Sequence, residues 1–113
     1  GRGYFLPDAT TKKIEKEITA SETWRAPGEH SSGPLSCFDS KENMKRKKRA
    51  IDLANKMNTT PQNIAGSWTL NQKFPSFALI GPRNIDEINS SLKSLDIKLN
   101  NHNLNWLNLV ESI

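Results

Sequence analysis

From residue 40 onward apolar residues recur at helical spacing, and short polar or proline-marked breaks divide the pattern into segments. Ser40 stands as an N-cap ahead of Glu42 and Asn43. Ala50, Leu53, Ala54 and Met57 then form one stripe with Ile51 beside it, which predicts a helix closing near Asn58. Thr60 as cap and Pro61 as first helical residue open a second helix, which carries Ile64, Ala65, Trp68 and Leu70 and ends near Asn71-Gln72. Phe77-Ala78-Leu79-Ile80 is a continuous apolar run, the pattern of a short strand buried on both faces. Asn84 caps a third helix with Ile88, Leu92 and Leu95 facing inward, and Glu87 sits where a capping box needs its acidic partner. Asp96-Ile97-Lys98-Leu99 is a short link, and Asn101 is expected to cap a last helix bearing Leu104, Trp106, Leu107 and Val110. One internal strand makes no sheet, because a buried parallel strand needs neighbours on both sides.

The first 39 residues lack such a period. Pro7, Pro27, Gly28, Gly33 and Pro34 punctuate them, and only Thr11 to Thr19, with Ile14 and Ile18 four apart, suggests about two turns of helix. A stretch this long without regular structure reads as a functional loop or as disorder.

Composition narrows the class without naming an activity. The chain has 113 residues, 35% hydrophobic and 25% charged, enough for one small domain. Its mean hydropathy is -0.67, and no run approaches the roughly 18 apolar residues of a membrane span. Gly1-Arg2-Gly3-Tyr4-Phe5-Leu6-Pro7 is no signal peptide, since no apolar core follows, and with no Met at its start Gly1 need not be a natural beginning. The one cysteine, Cys37, has no internal partner, and together these features point to the cytoplasm. Net charge is +4, but Lys45-Arg46-Lys47-Lys48-Arg49 contributes five of the 16 basic residues, and without that run the remainder carries -1. Consecutive helical residues wrap around the axis, and the run lacks interleaved aromatics to stack on bases. It therefore reads as a solvated helix segment, with Glu42 placed to pair with Arg46, and no nucleic-acid partner is expected.

The chemically suggestive stretch is Phe74-Pro75-Ser76-Phe77-Ala78-Leu79-Ile80-Gly81-Pro82-Arg83-Asn84. An apolar run ends in a glycine turn, an arginine follows, and a capped helix begins. Helix N-termini offer outward N–H groups to anions, and a guanidinium fork suits phosphate. Gly81, Pro82, Arg83 and Asn84 are thus a candidate phosphate grip; an ordinary strand-to-helix connection with a surface arginine is the alternative. Elsewhere nothing converges. Cys37 has neither His30 nor His102 placed as a base, and neither histidine has neighbours for a metal site. His102 falls in a first helical turn and is expected to be exposed. Trp24 lies in the long loop, Trp68 and Trp106 fit helix-core faces, and the single tyrosine, Tyr4, has no lysine or histidine placed near it.

The same stretch resembles the C-terminal third of the aldo-keto reductase family, and the likeness extends to both sides. Asn43-Met44-Lys45-Arg46 through Leu53-Ala54 is similar to that family's helix after strand seven. Thr60-Pro61-Gln62-Asn63-Ile64-Ala65 with Trp68 is similar to its T-P-A-Q-V-A-L-A-W stretch, and Leu95-Asp96-Ile97-Lys98-Leu99 with Leu104 and Trp106-Leu107 to its closing segment. Gly1-Arg2-Gly3-Tyr4-Phe5 resembles the end of strand seven, while the loop between matches poorly.

The resemblance implies an α/β fold: the C-terminal portion of a (β/α)₈ TIM barrel, with the end of strand seven, a long loop, helix seven, strand eight, helix eight and a terminal helix, mostly helical as an isolated chain. It implies residues 1–113 as part of an NADP-dependent oxidoreductase domain, with 6–39 as the substrate-side loop. It further implies NADPH as cofactor and a small carbonyl or alcohol as substrate. By position Gly81, Pro82, Arg83 and Asn84 match the loop holding the adenosine 2′-phosphate, and Gly1, Arg2 and Gly3 match a loop near the pyrophosphate. Glu87, Ser90 and Ser91 match the adenine side, although many members carry Arg or His at the first and an acidic residue plus Asn at the last two. The family's catalytic Asp, Tyr, Lys and His lie on earlier strands and have no counterpart here; Tyr4 does not match the catalytic tyrosine. The chain is therefore expected to be a fragment without turnover of its own. A small helical interaction module is the alternative.

Overall fold

The computed structural model of the chain describes residues 40–110. They form four α-helices, α1 (Lys41–Lys56), α2 (Pro61–Leu70), α3 (Ile85–Leu92) and α4 (Asn101–Leu107), with a 3₁₀ turn at Lys93–Leu95 continuing α3. The readings for Gly1, Arg2, Gly3, Tyr4, the Thr11–Thr19 helix, Trp24, His30 and Cys37 lie outside the described residues.

Each helix start is made by a side-chain oxygen. Ser40 Oγ accepts from the Asn43 N–H at 3.0 Å, Thr60 Oγ1 from Asn63 at 3.2 Å, and Asn84 Oδ1 from Glu87 at 2.9 Å. The fourth cap corrects the expectation: Asn100, not Asn101, accepts from the Asn103 N–H at 2.8 Å. Both residues are asparagines, so sequence alone could not choose between them. Two helices close alike. After α1, Asn58 adopts φ 53° and its N–H bonds the Asn55 carbonyl, while the Thr59 N–H reaches the Ala54 carbonyl at 2.9 Å. After α4, Leu109 takes φ 63°, with its N–H on the Trp106 carbonyl and the Val110 N–H on that of Asn105.

The core is one cluster: Ala50, Leu53 and Ala54 of α1, Ile64 of α2, Leu99 of the link, and Leu104 and Leu107 of α4, with Ile97 and Trp106 against it. Helix α2 is central, packing on α1, on α3 and on the 3₁₀ turn, while α4 packs on α1. Its inner face differs from the expected one. Asn63, Ile64 and Ser67 are buried, whereas Trp68 keeps 37% exposure and donates from its indole N–H to Asn108 Oδ1 at 2.9 Å. The small inner face admits the 3₁₀ turn. The Ser67 hydroxyl lies 2.7 Å from the Asn63 carbonyl and 2.9 Å from the Ser94 carbonyl. Asn71 donates to the carbonyls of Ser67 at 2.7 Å and Ile97 at 3.2 Å, tying the end of α2 to the link. Every buried side-chain polar atom among the described residues has a partner.

Several burial expectations fail, because the described residues put no covering element there or because the residue falls outside its helix. Leu92 and Leu95 are exposed and only Ile88 of that stripe is half-buried, Ser94 taking the inward position instead. Met57 and Val110 are exposed because each lies just past a helix end. The strand expected at Phe77–Ile80 is not formed, and there is no strand among the described residues. Phe77 is 89% and Leu79 98% exposed. An apolar run specifies a buried strand only where other strands supply hydrogen bonds and covering side chains; here it crosses from α2 to α3 as irregular chain.

Candidate functional site

Helix α3 owes its start to Asn84, and Arg83 just before it is held by the helix's own Glu87. Gly81, Pro82, Arg83 and Asn84 are all exposed. A Cβ at Gly81 would meet nothing within 4 Å, so the packing of the described residues does not require glycine there. The Arg83 side chain is 83% exposed and lies next to the first turn of α3. A helix of this kind leaves its first N–H groups unused internally, here those of Ile85 and Asp86 once Asn84 has taken that of Glu87.

Glu87 departs from the capping-box expectation. Asn84 performs its half, but the Glu87 carboxylate does not return to Asn84; it turns to Arg83. Oε2 accepts from the Arg83 backbone N–H at 2.7 Å, and Oε1 accepts from Nε at 3.1 Å and Nη2 at 2.9 Å. The Arg83 N–H, and secondarily its guanidinium, hold the Glu87 carboxyl below its ordinary value. The signal was present in the sequence, since an acidic residue in the first turn can reach back to the residue just ahead of the cap, where Arg83 stands. Ser91 is half-buried and donates its hydroxyl to the Glu87 carbonyl at 2.8 Å, while Ser90 is exposed. The structure thus brings Arg83, Asn84 and Glu87 together at the start of α3, with Ser91 one turn further on, in the last turn of the helix. Gly1, Arg2 and Gly3 lie outside the described residues.

The donor chemistry fits a phosphate: a planar guanidinium beside two helix N-terminal N–H groups. The electrostatics are less simple, because Arg83, Asp86 and Glu87 together carry a net negative charge. An anion here meets an arginine already engaged by a carboxylate.

The basic run contributes structure instead. Arg49 donates from Nη1 to the Trp106 carbonyl at 2.6 Å, and its guanidinium carbon sits 4.2 Å from the Trp106 ring centroid. It thereby adds positive charge to the C-terminal end of α4 and joins α4 to α1. Arg46 bonds Asn43 Oδ1 at 2.9 Å rather than taking up Glu42. Among the described residues no three His, Cys, Asp or Glu side chains gather as a metal site, and His102 is exposed. No helix among them is long and apolar enough to cross a membrane.

The sequence model of the Aldo/keto reductase family matches residues 6–110. The chain belongs to the aldo/keto reductase family. Membership makes it a portion of an oxidoreductase domain and relates it to the barrel fold of that family, of which the described residues hold helices and no strand. Family membership also makes NAD(P)H the expected type of cofactor and a small molecule the expected type of substrate in a complete enzyme. No curated protein and no solved structure gives a significant match to the chain.

Proposed function

We propose that the chain is the C-terminal segment of an NADPH-dependent aldo-keto reductase and supplies part of the cofactor's phosphate and adenosine site. The observation that carries this reading is an exposed arginine set at the capped start of α3 in a chain of this family. Arg83 would hold the 2′-phosphate, with Gly81 and Pro82 letting the ligand approach and the N–H groups of Ile85 and Asp86 adding partial positive charge. Asn84 keeps that helix start in shape. Ser90 and Ser91 lie on the same helix and would face the adenine side, Ser91 as an acceptor because its proton is committed to the Glu87 carbonyl. By resemblance Gly1, Arg2 and Gly3 would approach the pyrophosphate, and residues 6–39 would cover the substrate.

The cofactor supplies the hydride when bound. Carbonyl reduction needs in addition a proton donor held against the oxygen, and the family's Asp, Tyr, Lys and His have no counterparts among these 113 residues. The isolated chain therefore grips one end of the dinucleotide and does not turn substrate over. A cytoplasmic setting fits the reading. Carbonyl-reduction assays with NADPH, run beside equilibrium binding of an adenosine 2′-phosphate, test it. Binding without turnover is expected; clear turnover, or no binding, overturns it.

A second reading has one observation in its favour: residues 40–110 close a helical core without any strand. A small non-catalytic interaction module would be a discrete species on size exclusion with a cooperative melt. A barrel segment would self-associate through the apolar side chains it leaves exposed, Phe77 and Leu79 among them.

A further inference from the structure

Arg83 is the residue on which the proposed phosphate grip depends, and it is already engaged. The contact is two-sided: Glu87 Oε2 takes the Arg83 backbone N–H at 2.7 Å while Oε1 takes Nε and Nη2 at 3.1 and 2.9 Å. One carboxylate therefore covers the Nε edge of the guanidinium, an edge a phosphate would use in a bidentate grip. A doubly charged phosphate and a carboxylate cannot both take that edge without like-charge repulsion at contact distance. Asp86, exposed in the same turn, adds to the repulsion, whereas Asn84 is neutral and already spent on the Glu87 N–H.

We propose that Glu87 is a specificity-determining residue: an internal counter-anion that competes with the 2′-phosphate for Arg83 and lowers the preference for phosphorylated over plain adenosine ligands. The proposal rests on the reading of Arg83 as the 2′-phosphate residue. Glutamine at 87 can still accept from the Arg83 N–H, so Glu87→Gln removes the charge and leaves the turn its hydrogen bond. An entering phosphate then displaces a neutral amide in place of an anion.

The test is calorimetric titration of the full chain with adenosine 2′,5′-bisphosphate and with adenosine 5′-monophosphate, for the natural sequence, Glu87→Gln, Arg83→Met and the double variant. Glu87→Gln is expected to tighten the bisphosphate relative to the monophosphate by about 3- to 10-fold, the scale of one exposed ion pair against a doubly charged anion. Arg83→Met is expected to erase the difference between the two ligands in both backgrounds. If Arg83→Met weakens the bisphosphate but Glu87→Gln does not tighten it, the competition is overturned and the phosphate reading stands. If Arg83→Met has no effect, or neither ligand binds, both are overturned. Far-UV circular dichroism checks the fold of each variant, and Glu87→Ala, expected to shift the ratio of affinities the same way, replaces Glu87→Gln should that variant lose its helical signal.

Discussion

Gly66 sits on α2 facing Ser94 of the 3₁₀ turn, and replacing it sets two effects of known sign against each other. Alanine is a better helix former than glycine by about 1 kcal/mol in a helix interior, so propensity alone predicts that Gly66→Ala stabilises. Packing predicts the reverse. A Cβ at this position would lie 2.6 Å from Ser94 Oγ and 3.1 Å from Ser94 Cβ. The hydroxyl could swing away, but Ser94 is buried and its Cβ cannot leave without moving the turn. That turn is held to α2 by the Ser67 hydroxyl, 2.9 Å from the Ser94 carbonyl. Overpacking a closed contact costs about 1–3 kcal/mol, so the net expectation is a loss of roughly 1 kcal/mol. In a domain of this size that lowers the melting temperature by about 4–8 °C. Urea unfolding followed by far-UV circular dichroism measures it, with Gly81→Ala as the control because nothing lies within 4 Å of a Cβ there. Ser94→Ala removes the nearer of the two clashing atoms, so the double variant should recover part of the loss and show a coupling of at least about 0.5 kcal/mol. A Gly66→Ala chain that is more stable by the full propensity increment, with no coupling to Ser94, would refute the packing argument.

Three further outcomes are expected. Asn71→Ala removes the amide that bonds the carbonyls of Ser67 and Ile97 and should cost about 1–3 kcal/mol in the same titration, whereas an exposed substitution such as Lys73→Ala stays near zero. Arg49→Met should cost about 1–2 kcal/mol by losing the Trp106 carbonyl and ring contacts. The Arg83 amide resonance should titrate with the Glu87 carboxyl, at a midpoint below the ordinary 4.5. Because the folded-state value is depressed, the help Glu87 gives the α3 start is present above the ordinary value and fades as pH falls through the folded one. A midpoint at or above the ordinary value would contradict the hydrogen bonds, and Glu87→Gln should remove the titration.

Helix positions were legible because they rest on local chemistry. Ser40, Thr60, Pro61 and Asn84 mark their helices by side-chain oxygens or a fixed φ acting within four residues, and such signals need no knowledge of the fold. Asn100 against Asn101 marks the limit, since adjacent residues of one type carry equal signals. The order and spacing of short motifs were also readable, and they led to the family that the match over residues 6–110 establishes.

What faces what was decided only by the tertiary structure. Burial is a relation between distant segments, so periodicity could propose Trp68, Leu92 and Leu95 as inward residues but could not supply the elements to cover them. The same holds for Phe77–Ile80, whose composition suits a buried strand and beside which the described residues supply no partner strand. Arg49 read as one charge in a basic run until α4 placed Trp106 against it. Arg83 read as an open fork, and the folded turn gave that fork a carboxylate, because one turn of helix carries Glu87 back over the residue that precedes it.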